Sequence, residues 1–305
     1  MTIQQYTSRE LEWGRAVDIS ARIEEALGSA VGHCGGTEAP QGLAAAIHHA
    51  VFPAGARVRP RLCLAVAAAC GDDEPALSNA AAAAIELLHC ASLVHDDLPC
   101  FDAAETRRGL PTVHCAYGER LAVLAGDALI VLAFETLSRA APAVPERLPG
   151  LLLTVGRAVG APSGIAAGQA WECEASVDLA LYHRAKTGAL FVAAAEAGAL
   201  AAGGDPAAWR TLGARLGEAY QVADDIRDVA ASEAEIGKPV GRDAVLGRPN
   251  AATELGLPAA IGHFRRLVAA GVAAIPDCAG RELLQQLMQH EADRLIPREI
   301  ARLAA

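Results

Sequence analysis

Apolar positions recur along this chain with a helical period, not a two-residue alternation. Leu11, Ala16, Ile19, Ile23 and Leu27 fall on one stripe that the spacing ends near Gly28. Pro40 opens a second segment to about Val51, and Pro53-Ala-Gly makes a break. Arg59 and Pro60 start the next helix, where proline is tolerated in the first turn; it runs to Cys70 and stops at Gly71. From Pro75 to His95 the sequence is apolar almost all round, the pattern of a helix buried on every side. Pro99 and Arg107-Arg108-Gly109 mark irregular chain, and Gly203-Gly204 and Pro258 read as helix punctuation. Further helices are expected at Tyr117–Arg139, Leu148–Val159, Leu179–Leu200, Ala207–Val229, Leu257–Ile275 and Gly280–Leu303. No segment reads as a pair of alternating strands. The pattern predicts an all-α fold.

Composition agrees with that class. Of 305 residues 52% are hydrophobic but only 4% aromatic, which suits close-packed helices better than a β-sandwich. The apolar fraction also excludes global disorder. A net charge of -10 argues against a nucleic-acid partner, which calls for a basic face. The N-terminus lacks the order of a signal peptide, and no apolar run is expected to span a membrane. Asn79–Leu88 is stopped by His89, and Leu121–Leu137 is split by Asp127 and Glu135. The eight scattered cysteines contain no C-x-x-C pair and read as buried, reduced thiols of a cytoplasmic protein.

Two acidic clusters interrupt sequence that otherwise favours burial. One is Asp96-Asp97-Leu-Pro-Cys-Phe-Asp102, at the end of the apolar helix; the other is Asp224-Asp225-Ile-Arg-Asp228. Asp224 and Asp228 are four apart and share a helix face. Pro99 tends to break the first helix, so Asp102 can return towards Asp96. Like charges about 4 Å apart repel by roughly 4 kcal/mol at an effective dielectric near 20, so such clusters call for cations. Carboxylates without Cys ligands suit a hard cation such as Mg²⁺, which also takes waters and substrate phosphates. A solvated acidic helix end is the plain alternative for either cluster alone. Basic residues stand near both: Arg57 and Arg59, Arg107 and Arg108, Lys186-Thr187, Lys238 and Arg248. Singly each reads as a solvated surface charge. Together they balance a metal-bridged diphosphate.

With these pieces the sequence resembles the trans-isoprenyl diphosphate synthases, or polyprenyl synthetases. The resemblance is carried by A-G-A-R-V-R-P (54–60), H-C-A-S-L-V-H-D-D-L-P-C-F-D (89–102), R-R-G-L-P-T-V-H (107–114), A-G-D-A-L (125–129), H-R-A-K-T-G-A-L (183–190), G-E-A-Y-Q-V-A-D-D-I-R-D (217–228) and the region 237–249. Within the family it looks most like the bacterial geranylgeranyl diphosphate synthases of carotenoid pathways. The resemblance implies one domain over residues 1–305, with 1–39 a variable N-terminal segment, helices around a deep apolar cavity, and a homodimer. It implies that Asp96, Asp102 and Asp224, with Asp97, Asp225 and Asp228 directly or through water, hold three Mg²⁺ ions. Arg107, Lys186 and Arg248 are expected to grip an allylic diphosphate, and Arg57, Arg59, His89 and Arg108 to bind isopentenyl diphosphate. Thr187 and Gln221 are expected to stabilise the allylic cation. The expected reaction joins isopentenyl diphosphate to a dimethylallyl, geranyl or farnesyl primer. The small Ala91 and Ser92, a turn before the aspartates, favour a C20 product over the C15 of a farnesyl diphosphate synthase. A terpene cyclase and a non-catalytic partner subunit of such a synthase are the other readings.

The chain departs from the family pattern in places. Ala56 stands where the family carries lysine, Ala103 and Glu105 where aspartates are frequent, Arg227 where an apolar residue is common, and Arg248 where a lysine is usual. Outside the motifs, His95 reads as a packed or hydrogen-bonded histidine, His114 as a support for the loop, and Asp127 as a buried, hydrogen-bonded carboxylate. Trp13, Trp171 and Trp209 form no periodic platform.

Overall fold

The computed structural model describes residues 19–52, 55–176, 178–230 and 250–296. Residues 19–32 form α1, followed by α2 (Gln41–Val51), α3 (Val58–Ala69), α4 (Pro75–Asp96), α5 (Val113–Tyr117), α6 (Glu119–Ala140), α7 (Leu148–Val159) and α8 (Ile165–Ala170). Next come α9 (Leu179–His183), a π-helical turn (Arg184–Gly188), α10 (Ala189–Ala201), α11 (Arg210–Ala230), α12 (Ala251–Leu255), α13 (Leu257–Ala273) and α14 (Arg281–Leu295). The only ladder among the described residues pairs Thr106–Arg107 with Leu110–Pro111, turning through Gly109 at φ 77°. The all-α expectation holds.

Two central helices organise the packing. Helix α4 lies against α6, α3, α10 and α7, and α10 against α3, α11, α7 and α4. Both are rich in alanine: residues 80–84 of α4 and Ala193, Ala194, Ala195, Ala197 and Ala199 of α10 are buried. Small side chains let helix axes approach closely, and one glycine sets the limit. A Cβ on Gly198 of α10 would lie 2.2 Å from the Cys63 carbonyl oxygen of α3. A second apolar cluster joins the C-terminal half of α11 (Val222, Ala223, Ile226) to α13 (Ile261, Phe264, Val268).

Several boundaries move from their expected places. Helix α1 runs past Gly28 to residue 32, because Ala30 and Val31 continue its buried stripe. The helix expected to begin at Tyr117 is divided by Gly118, whose φ of 86° breaks the path between α5 and α6. The span from Leu179 to Leu200 is helical but widened by the π turn. Helix α8 and helix α12 are too short for periodicity to announce. Leu11, Trp13 and Ala16, together with residues 297–303 of the last expected helix, lie outside the described residues.

The expectation of buried thiols fails, and two helices bear on the expectation that no run spans a membrane. Helix Pro75–Asp96 and the span Glu119–Ala143 are long and apolar enough to cross a membrane by length and composition; the first is 78% buried and therefore a core helix, the second only 39%. The cysteines are all free thiols, but only Cys63 and Cys90 are buried, while Cys100, Cys115 and Cys173 are exposed.

Candidate active site

Both acidic clusters reach one cavity of about 1060 Å³, near the upper end of the usual range for ligand sites. The first arrives at the C-terminus of α4, where backbone bonds wind the chain back on itself. The Asp102 N–H donates to the Asp96 carbonyl at 2.9 Å and the Ala103 N–H to the Leu98 carbonyl at 3.0 Å, with Ala103 at φ 47°. Six residues of separation thus become a close return, as Pro99 suggested. The second cluster lies on α11, one turn carrying Asp224 and Asp228 to the same cavity.

The second aspartate of each pair does something else. Asp97 is 3% exposed, does not line the cavity, and accepts from Arg107 through Nε at 3.0 Å and through Nη2. Burial pushes its carboxyl above the ordinary carboxylate range, against the pull of Arg107. Burial alone would lower the guanidinium, but Asp97, Asp96 and Asp102 outweigh it and keep Arg107 charged. Asp225, also 3% exposed and absent from the cavity wall, accepts from Gln221 Nε2 at 2.9 Å and from the Ala251 N–H at 2.9 Å. It ties α11 to the start of α12. Asp97 and Asp225, expected to support the metal ions directly or through water, here point into the protein, where an arginine and a backbone amide hold them.

Asp96 keeps its cavity position under restraint. Its Oδ1 accepts from Gln169 Nε2 at 2.5 Å and from Lys186 Nζ at 3.4 Å. Lys186 is projected by the π turn, whose backbone fits against α8 because residue 168 is glycine: a Cβ there would lie 2.4 Å from the Lys186 nitrogen. The ammonium also donates to Glu172 Oε1 at 2.5 Å, and Glu172 accepts from the Tyr182 hydroxyl at 2.6 Å. Burial opposes the charge on Lys186, but Asp96, Tyr182 and Glu172 together raise its pKa. Gln169 and Glu172 were not anticipated, since α8 and the 3-10 turn after it (Trp171–Cys173) are too short to give a periodic signal. The spacing Gln169-x-x-Glu172, two polar groups beside Trp171, was the only sign.

The cations divide into two kinds. Arg57, expected to bind isopentenyl diphosphate, lines the cavity, but its guanidinium is engaged by groups of the protein. It donates to Glu86 Oε1 at 2.7 Å, to Glu24 Oε1 at 2.9 Å and to the Val51 carbonyl at 3.0 Å, with its backbone at φ 50°. Two carboxylates thus already neutralise it at the edge of the cavity. Arg59 is 8% exposed, has no carboxylate partner among the described residues, and its buried Nε has no hydrogen-bond partner. Its guanidinium sits 4.5 Å from the Phe191 ring centroid and 5.2 Å from that of Tyr220, with Nη1 3.4 Å from His89 Nε2. His89 is half-buried and held well below its ordinary pKa by desolvation and by Arg59, Arg108, Arg107 and Arg57, so it stays neutral. Arg108, at φ 55°, lies across Gly55, where a Cβ would approach its guanidinium carbon to 2.5 Å. Arg57 and Arg108 both carry left-handed backbone, the local strain that accumulates at sites of function.

Thr187 Oγ1 donates to Gln221 Oε1 at 2.8 Å, so Asp225 and Thr187 together orient the Gln221 amide at the cavity wall. Arg227 also lines the cavity and donates from Nη2 to Asp224 Oδ1 at 3.0 Å. The same cavity also has apolar lining from Leu88, Ala91, Ile130, Val159, Ile165 and Leu190. Lys238 and Arg248 lie outside the described residues. Among the described residues no three His, Cys, Asp or Glu converge on a ready-made metal cage. Asp96, Asp102, Asp224 and Asp228 around one mouth nonetheless fit Mg²⁺, which needs one or two carboxylates and completes its shell with water and phosphate oxygens. Asp127 departs from its expected burial: its side chain is 62% exposed on α6, 3.6 Å from His95 Nε2. His95 bridges to α6, also approaching the Val123 carbonyl at 3.3 Å, and His114 meets Thr112 Oγ1 at 3.0 Å beside the hairpin.

Comparison with known proteins agrees with this geometry. The polyprenyl synthetase family model matches residues 40–260. The geranylgeranyl diphosphate synthase of Cereibacter sphaeroides is 52% identical over 280 residues, covering 92% of this chain and 97% of that protein. The farnesyl diphosphate synthase of Geobacillus stearothermophilus is 40% identical over 220 residues, covering 68% of this chain and 72% of that one. Among solved structures, the apo FPP/GFPP synthase of Zymomonas mobilis superposes with a TM-score of 0.78 at 28% identity, covering 92% of this chain and 99% of that one. The geranyltransferase of Helicobacter pylori, complexed with magnesium and isoprenyl diphosphate, gives 0.76 at 30% identity, covering 92% and 96%. Motif order, a shared charged cavity and a match over most of the length lead to one conclusion: this chain belongs to the polyprenyl synthetase family.

Proposed function

We propose that the chain is a magnesium-dependent prenyltransferase that joins isopentenyl diphosphate to a dimethylallyl, geranyl or farnesyl diphosphate primer and delivers the C20 geranylgeranyl diphosphate. One observation carries this reading: both aspartate motifs, and Arg59 without a carboxylate partner among the described residues, line one cavity together with a set of apolar side chains. Lys186 and Arg107 hold the allylic diphosphate beside Asp96 and Asp102, with Arg248 joining them from outside the described residues. Magnesium ions, three by the family resemblance, supply when bound the positive charge that stabilises the departing diphosphate. Arg59, Arg108 and neutral His89 hold isopentenyl diphosphate with its double bond towards the allylic carbon. Gln221, its amide fixed by Thr187 and Asp225, presents a dipole to the cationic fragment. The apolar wall keeps water from that cation, and the released diphosphate takes the proton lost as the new double bond forms.

Product length follows from Ala91, 1% exposed on the cavity wall, and Ser92 next to it. Their small side chains leave the passage along α4 open, which supports C20 over C15. A non-catalytic subunit is disfavoured because all six motif aspartates are present. The reading includes a homodimer. Leu124 and Val131, seven apart on one side of α6 and away from the cavity, lie at 51% and 58% exposure, an apolar stripe that a second copy of the chain covers. Eight free thiols support a cytoplasmic setting.

The test is incubation of the purified protein with isopentenyl diphosphate and each primer, with and without Mg²⁺, and measurement of product length. Magnesium-dependent C20 product is expected. A C15 end product would overturn the chain-length reading, and no elongation from any primer would overturn the enzyme.

A further inference from the structure

Arg227 stands inside the second aspartate motif, where it adds a positive charge to a cluster of carboxylates. Tyr220, Asp224 and Arg227 are spaced i, i+4, i+7 on α11 and so share one helix face, and all three line the cavity. The guanidinium carbon of Arg227 lies 5.6 Å from the Tyr220 ring centroid, and that of Arg59, from α3, lies 5.2 Å from the same ring. Two guanidinium groups thus converge on one aromatic ring. Arg59 has no carboxylate partner among the described residues, and Arg227 has one bond to Asp224 through Nη2. The buried Nε of each lacks a hydrogen-bond acceptor. Both groups border the same cavity, and guanidinium is the side chain suited to phosphate oxygens. Ala56, on the wall of the same cavity, contributes no charge.

We infer that Arg227 is a diphosphate ligand of the isopentenyl subsite, completing with Arg59 across Tyr220 a two-guanidinium clamp. The inference rests on the proposed prenyltransferase reading and adds to it a residue for the second substrate. Among the described residues the bond to Asp224 engages Nη2 and leaves Nη1 for the incoming anion. A cation drawn to Asp224 releases Nη2 as well.

The experiment measures isopentenyl diphosphate binding by calorimetry in EDTA, so that neither metal nor turnover is required, for wild type, Arg227→Leu, Arg227→Gln and Arg227→Lys. Loss of a charge-assisted bond predicts affinity about ten- to a hundredfold weaker in the Leu and Gln variants, with partial recovery in the Lys variant. In the elongation assay the KM for isopentenyl diphosphate rises by a similar factor while the KM for the primer stays within twofold. Manganese binding to substrate-free protein separates a merely structural role. If the neutral variants bind Mn²⁺ more tightly and isopentenyl diphosphate as well as wild type does, Arg227 only offsets the charge of Asp224 and the inference is wrong. Wild-type affinity in any folded neutral variant also overturns it. Wild type that binds but does not elongate sinks the enzymatic reading alone, and the binding result still decides Arg227.

Discussion

Removing Asp97 separates a metal ligand from a support for Arg107. The Asp97 side chain is 5% exposed and that of Arg107 25%, joined through both Nε and Nη2. Truncating one partner of a fully buried ion pair costs about 3–5 kcal/mol, because the other charge is left without compensation. Arg107 retains a quarter of its exposure and has Asp96 and Asp102 nearby, so Asp97→Ala is expected to cost about 2–3 kcal/mol. In a double-mutant cycle with Arg107→Met, the coupling energy is expected to be about 2 kcal/mol. Urea denaturation of the four proteins measures it, with the slope unchanged if the denatured state is unaffected. Steady-state kinetics supply the second half. With Asp97 acting through Arg107, Asp97→Asn raises the KM of the allylic diphosphate and leaves the magnesium concentration for half-maximal rate within about threefold of wild type. Coupling below about 0.5 kcal/mol together with a tenfold or larger shift in magnesium requirement would refute the reasoning and restore Asp97 as a ligand.

Three further outcomes follow from the packing and from His89. Ala91→Tyr fills the passage along α4 and shifts product from C20 towards C15; an unaltered C20 profile by chromatography shows that the floor lies elsewhere. Gly198→Ala drives a methyl group into the Cys63 carbonyl and forces α10 and α3 apart, with an expected loss of about 1–3 kcal/mol in chemical denaturation, and wild-type stability contradicts that contact. His89 is held neutral in the folded protein, so the unfolded chain takes up its proton first as pH falls below the ordinary value of 6.5. Its share of stability is fully present above that pH and declines by up to about 1.4 kcal/mol per unit below it. The difference in urea midpoint between wild type and His89→Gln therefore narrows from pH 7.5 to pH 5.5, whereas a constant difference means His89 titrates normally.

Much of the helical framework was legible along the chain because it depends on near neighbours. Proline before or within a first turn announces α2, α3 and α4, and the unbroken apolar run of α4 announces its burial. Asp224 and Asp228 share a face by helical geometry alone, and the Pro99 break foretells the return of Asp102. The rest was decided by contacts distant in sequence. Whether an aspartate at a helix end faces a cavity or the interior depends on what stands opposite, and Arg107 and the Ala251 amide draw Asp97 and Asp225 inward. Arg57 and Arg59 are two residues apart and chemically alike. Only the placement of Glu24 and Glu86 turns the first into an internal tie, while the aromatic faces of Phe191 and Tyr220 keep the second available for an anion. Periodicity records which side of a helix is apolar; the direction of a charge is set by the partners the fold brings to it.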